Sequence, residues 1–158
     1  MTVDFGATKS VLAALEREGV RYVVFGAAAI NLLGLPRATQ DLDIFVDPDR
    51  ENIGRLKSAL RSVYPDPNID QIDAVELMGE YPAVEYVPPT GTFHIDILTR
   101  LGEAFRYRDI ESQRVLFEGI PVTVATPRML IRMKKGTVRA KDHADAAMLR
   151  ERFKIEDE

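Results

Sequence analysis

RYVVFGAAAINLLGLPRATQDLDIFV, residues 21–46, is the stretch from which the fold is read. Arg21 to Phe25 is a short apolar run of β-forming residues and reads as a buried strand. Gly26 breaks it. Ala27 to Leu33 then reads as a helix ending at Gly34, and Leu35-Pro36-Arg37-Ala38-Thr39 as a loop. Asp41 to Val46 is a second strand, with Leu42, Ile44 and Val46 turned to a core. Asp41 and Asp43 are two positions apart, so both carboxylates point to its other face. Neighbouring carboxylates repel unless a cation lies between them, and hard oxygen ligands suit magnesium.

Working outward, Lys9 to Glu18 carries Val11, Leu12 and Leu15 at helical spacing, with Gly19 as the stop. Downstream, Asp47-Pro48 reads as an N-cap with proline at the first helical position. Ile53, Leu56 and Leu60 line the helix behind it, which stops near Tyr64-Pro65. Residues 66–82 are acidic and predict a short helix at most. Residues 83–87 and 92–98 read as strands joined by a turn at Pro88-Pro89-Thr90-Gly91. Two more short strands flank Glu118-Gly119, at 114–117 and 121–124. Thr126-Pro127 opens a helix with Met129, Leu130 and Met133 inward, and a last helix runs from Lys141 to Phe153. This order predicts a single α/β (α+β) domain over residues 1–158, one mixed sheet flanked by helices.

In Phe93-His94-Ile95-Asp96-Ile97-Leu98 the isoleucines face one way and Asp96 the other. If this strand lies beside Asp41–Val46, three carboxylates meet on one face. A two-metal site needs that arrangement, one ion activating an attacking hydroxyl and the other steadying a leaving phosphate. A single aspartate on a strand is more often a solvated or capping group, the role assigned to Asp47. The strand–Gly26–helix element raises the weight of the pair, since a helix start offers free N–H groups to phosphate and glycine permits close approach. His94 and His143 are read as structural.

The bulk composition agrees with a soluble globular chain: 46% hydrophobic and 29% charged residues over 158 positions. The absence of cysteine rules out disulfide and thiolate chemistry and fits a reducing cytoplasm. No signal peptide or membrane span is visible in the sequence, so a cytoplasmic protein without a membrane partner is expected. A net charge of −4 argues against a general nucleic-acid binder. Arg128, Arg132, Lys134, Lys135 and Arg139, with no acid between them, instead suit one local anionic ligand. Dipole complementation and a Lys141–Asp145 ion pair would also explain the lysines near these helix ends.

Gly26-Ala27, the acid-hydrophobic-acid run Asp41-Leu42-Asp43, and Asp96 on a later strand together resemble the nucleotidyltransferase superfamily, the fold of DNA polymerase β and the antibiotic nucleotidyltransferases. More narrowly, Gly26-x-x-Ala29 through Arg37-x-Thr39-x-Asp41-Leu42-Asp43 is similar to the AbiEii-type branch, which includes toxins of toxin–antitoxin systems. The likeness extends to Lys134, to Arg139-x-Lys141-Asp142-x-x-Asp145 and to Leu149, covering about residues 20 to 150.

The resemblance implies transfer of a nucleoside monophosphate from a nucleoside triphosphate to a hydroxyl. Asp41 and Asp43 would hold two Mg2+ ions, with Mn2+ as an alternative, and Asp96 would complete one site and help activate the acceptor. Gly26, Ala27, Arg37, Thr39, Lys134 and Lys141 would contact the nucleotide phosphates or the acceptor. Transfer RNA or a protein is the acceptor it suggests, and an antitoxin protein the partner. Ala27 departs from the Ser or Gly of the pattern, so a hydroxyl contact to phosphate is missing. The alternative is therefore a catalytically inactive module of the same fold that binds nucleotide or protein. A phosphatase of the haloacid dehalogenase type also carries Asp-x-Asp, but there the acids follow a hydrophobic strand, whereas here Ile44 to Val46 comes after them.

Overall fold

A computed structural model describes residues 5–35, 41–79, 82–89, 93–101, 105–134 and 140–155. Helix α1 (Phe5–Arg17) buries Val11, Leu12, Ala14 and Leu15 as one stripe. Gly19, at a φ of 68°, turns the chain out of it in the left-handed region. Strand β1 (Tyr22–Phe25) leads directly into α2 (Gly26–Leu32), and β2 (Asp41–Val46) returns antiparallel to β1.

Helix α3 (Arg50–Val63) packs against α1 and buries Ile53, Leu56, Ala59 and Leu60. The sequence placed its cap at Asp47, with Pro48 as the first helical residue; the structure corrects this by two positions. Asp49 is the N-cap, its carboxylate accepting from Asn52 N at 3.4 Å. Arg21 bridges both aspartates, its Nε donating to Asp47 at 2.8 Å and its Nη2 to Asp49 at 3.3 Å. Asn52, fully buried, ties the corner together. Its Oδ1 accepts from Arg21 N at 2.7 Å, and its Nδ2 donates to Arg21 O at 3.0 Å and to Asp47 O at 2.9 Å.

The acidic stretch forms a 3-10 turn (Pro67–Gln71) and the short α4 (Ala74–Met78), each started by an aspartate cap, Asp66 and Asp73. Strands β3 (Ala83–Tyr86) and β4 (His94–Leu98) follow. A small hairpin of β5 (Arg100–Leu101) and β6 (Phe105–Arg106), which the sequence did not signal, leads through a 3-10 turn (Tyr107–Asp109) into β7 (Ser112–Phe117). Strand β8 (Ile120–Ala125), α5 (Pro127–Lys134) and α6 (Ala140–Phe153) complete the chain, with α5 and α6 packed together. Thr126 caps α5 through its hydroxyl, which accepts from Met129 N at 3.2 Å.

The main sheet has the order β3-β4-β2-β1-β8-β7. It is mixed: β2 with β4 and β1 with β8 run parallel, the other neighbours antiparallel. One continuous core fills the space between sheet and helices, and Leu42, Ile44, Ile95 and Ile97 at its centre are fully buried. No helix among the described residues is long and apolar enough to cross a membrane.

Candidate active site

Strands β2 and β4 are parallel neighbours in a register that pairs Asp43 with Asp96 and Asp41 with His94. Both strands alternate here: Leu42, Ile44, Ile95 and Ile97 are sealed in the core, while Asp41, Asp43, His94 and Asp96 are partly exposed on the opposite face, and on β2 the pattern ends at buried Phe45. Paired residues on adjacent strands lie about 4.8 Å apart, so the backbone alone sets the three predicted carboxylates side by side.

Gly26 lies against this face. Its φ is 67°, and a Cβ built there would fall 2.3 Å from Asp43 Oδ2 and 3.1 Å from Asp43 Cγ. The sequence assigned the glycine to close approach by a ligand; in the structure the space beside it is filled by the chain's own Asp43 carboxylate. Phe25 is paired with Asp43 across β1 and β2, and it is the N-cap of α2 without a side-chain cap hydrogen bond of its own. Beyond Asp43 on the same face the Phe25 and Phe45 rings pack with centroids 4.9 Å apart. An apolar wall therefore bounds the acids on one side.

The structure brings two further groups to this face, Glu85, which the sequence did not single out, and His94. Glu85 on β3 is paired with Asp96, which extends the acidic row to a third strand. Its signal in the sequence is weak, because β3 has no clean apolar alternation: Ala83 and Glu85 are exposed and Val84 only partly buried. His94, read as structural, instead stands on the acidic face, with Nδ1 at 3.8 Å from Asp41 Oδ1 and 3.9 Å from Glu85 Oε1. These separations exceed a hydrogen bond and leave the ring free to turn toward either acid.

As placed, no three acidic or histidine side chains among the described residues close around an ion. The donor set nevertheless suits a hard divalent cation. Its ligands would be carboxylate oxygens, and their backbone positions are in register on neighbouring strands. Of the remaining predicted residues, Ala27 lies in the first turn of α2 next to Gly26. Arg37 and Thr39 lie outside the described residues. Lys134 ends α5 and Lys141 falls in the first turn of α6, but their side chains are also outside the description. Asp145 is buried on α6.

The whole fold has counterparts among solved structures. The antibiotic-resistance factor ANT(2'')-Ia superposes with a TM-score of 0.57 over 92% of this chain and 82% of its own, at 15% identity. This is the nucleotidyltransferase fold. An antigenic nucleotidyltransferase-like protein from Paracoccidioides brasiliensis matches at a TM-score of 0.53 and 19% identity, over 90% of this chain and 73% of its own. A candidate nucleotidyltransferase from Thermotoga maritima matches at 0.51 and 15%, over 97% and 96%. No protein-family model matches the chain, and no curated protein does. At these identities the likeness carries the architecture. The chemistry has to be argued from the side chains.

Proposed function

We propose that this protein is a metal-dependent nucleotidyltransferase that moves a nucleoside monophosphate from a nucleoside triphosphate to a hydroxyl acceptor. The observation that carries the reading is the Asp43–Asp96 pairing across β2 and β4, with Asp41 on the same face and Gly26 against Asp43. An acidic row beside the start of α2, in this fold, suits a triphosphate with its metal ions better than any other small ligand.

In this reading Asp41 and Asp43 hold both ions and Asp96 shares one of them. The bound ions supply Lewis acidity at the α-phosphate and at the leaving pyrophosphate. Gly26 and Ala27 offer backbone N–H groups to phosphate oxygens beside the Asp43 carboxylate. Asp96 accepts the proton of the acceptor hydroxyl as its oxygen bonds to the α-phosphorus and the bond to pyrophosphate breaks. Lys134 and Lys141, together with Arg37 and Thr39, would add phosphate or acceptor contacts. The Phe25–Phe45 wall keeps bulk water from one side of the acids.

The AbiEii-type likeness supports RNA, transfer RNA in particular, or a protein as acceptor, and an antitoxin as partner. A cytoplasmic setting follows from the same reading. Ala27, which brings no hydroxyl to phosphate, is the one feature that favours an inactive nucleotide-binding module instead.

The test is incubation of purified protein with each α-labelled nucleoside triphosphate, magnesium and total cellular RNA, beside an Asp41→Asn control. Label on RNA or on the protein, lost in the control, is the expected result. Magnesium-nucleotide binding without transfer to any acceptor would leave the inactive module as the better description.

A further inference from the structure

A second site lies at the opposite end of the same two strands. A cavity of about 610 Å³ opens where β2 and β4 run out, between Asp47 and Pro48 on one side and Thr99 and Arg100 on the other. Asp47 is four residues beyond Asp43, or about 13 Å along the strand, so this space is separate from the acidic face. Its volume falls in the ordinary range for a small-molecule site.

The lining has two parts. Leu77 and Met78 from α4 give an apolar floor beside Tyr107, and Arg100, Arg106 and Arg108 ring it with positive charge. Thr99 fixes the floor by donating its hydroxyl to the Leu77 carbonyl. The arginines are placed against their own electrostatic interest. Arg100 and Arg106 are cross-strand partners in the β5–β6 hairpin, where like charges directly opposite destabilise the pair. No ion pair joins any of the three to a described carboxylate. Asp47, in the lining, is paired with Arg21, and Asp109, next to Arg108 in sequence, accepts from the Arg106 backbone N–H at 3.1 Å. Arginine presents a planar fork that matches phosphate oxygens, and a tyrosine over an apolar floor suits a flat base. An anion bound here removes the repulsion that the hairpin otherwise carries.

We propose that this cavity binds a nucleoside phosphate unit, phosphate on the arginines and base on the Leu77–Met78–Tyr107 surface, independently of divalent metal. The unit is either a free nucleotide or one residue of an RNA strand. The site stands apart from the transfer reaction proposed above, and does not depend on it.

The experiment titrates the full chain with adenosine 5′-monophosphate, pentaadenylate and inorganic phosphate in EDTA, at low and moderate salt. The Met78 methyl resonance is followed as the local reporter. The expected result is saturable binding of adenosine 5′-monophosphate that shifts the Met78 signal. It should persist within about twofold in Asp41→Asn/Asp43→Asn and weaken at least tenfold in Arg106→Gln/Arg108→Gln, whose thermal midpoint confirms folding. Both arginines are exposed, so that variant keeps its core. Pentaadenylate binding at least tenfold tighter, with a steeper salt dependence, identifies an RNA strand as the source; equal affinities identify a free nucleotide. The proposal is overturned if neither ligand binds in EDTA, if the arginine variant binds as well as wild type, or if inorganic phosphate competes as effectively as the nucleotide.

Discussion

Replacing Gly26 by alanine separates backbone strain from damage to the acidic face. The added Cβ would lie 2.3 Å from Asp43 Oδ2, where ordinary contact begins at 3.4 Å, so the carboxylate oxygen must retreat by about 1.1 Å. The φ of 67° adds strain of about 1–2 kcal/mol for any residue with a Cβ. For a chain of this size that corresponds to a fall in Tm of about 2–8 °C. Misplacing a reacting group by about 1 Å costs on the order of 100-fold in rate.

Gly119 supplies the control. It has a φ of 85° with nothing within 4 Å of its built Cβ, so Gly119→Ala should show the strain alone. Thermal unfolding and single-turnover transfer on both variants make the comparison. The expected outcome is a loss of Tm in both, larger in Gly26→Ala because overlap adds to strain, with a transfer defect on the order of 100-fold only in Gly26→Ala. In an Asp43→Ala background the overlap disappears, and the stability cost of Gly26→Ala should shrink to that of Gly119→Ala. Equal transfer rates for Gly26→Ala and wild type would refute the link between this glycine and the carboxylate.

Asn52→Ala removes the partner of three backbone groups, Arg21 N, Arg21 O and Asp47 O, and should cost about 3 kcal/mol in urea unfolding with an unchanged m-value. An effect below about 1 kcal/mol would mean that water replaces the amide without loss. The Tyr22 hydroxyl, buried and donating to Glu16 Oε2 at 2.7 Å, has its pKa raised by burial first and by that hydrogen bond second. The unfolded chain then releases this proton near pH 10 while the folded chain keeps it, so stability is full below pH 10 and falls as pH rises above it. Tyr22→Phe should flatten that decline; an unchanged slope would assign it to other groups. Glu85→Gln should leave transfer within about tenfold of wild type, because Glu85 stands a strand further from Asp43 than Asp96 does, whereas Asp96→Asn should lose on the order of 100-fold or more. Comparable losses in the two variants would place Glu85 in the machinery.

Residues 21–35 and 41–46 were legible because the local signals in them agree with the tertiary result, while most of the loop read at 35–39 lies outside the described residues. The apolar run Tyr22–Phe25, the break at Gly26 and the alternation Asp41–Val46 are what a central strand pair with one wet face requires. The three acids were placed correctly because strand parity is a two-residue rule and β4 shows it as cleanly as β2. Capping at Asp47 was misread because Asp47 and Asp49 are equally good caps in isolation. The corner built by buried Asn52, which holds the Asp47 carbonyl and the Arg21 backbone, sets where the helix starts, and the link to Arg21 lies outside any local pattern. The β5–β6 hairpin escaped for a related reason. It has two residues per strand, and its register is visible only once the flanking β4 and β7 are in place. Glu85 became a site neighbour through the β3–β4 pairing, which periodicity does not specify, whereas His94 shares the face of Asp96 by strand parity.

Stability and the acidic face are set by the same alternation, and this restricts how the site can drift. Along β2 the even positions Leu42, Ile44 and Val46 are fully buried, and a slip of one residue against β4 would drive Asp41 and Asp43 into that core. Burying even one unpaired carboxylate costs more than the whole margin by which a domain of this size is stable. The opposite face has less of the core at stake at these positions, because Asp41, Asp43, His94 and Asp96 are all partly exposed. Exchanging an acid there for asparagine should therefore leave the fold intact. That is what makes Asp41→Asn and Asp43→Asn fair probes of chemistry: a loss of transfer in them, with Tm unchanged within about 2 °C, reports on the carboxylate charge and nothing else.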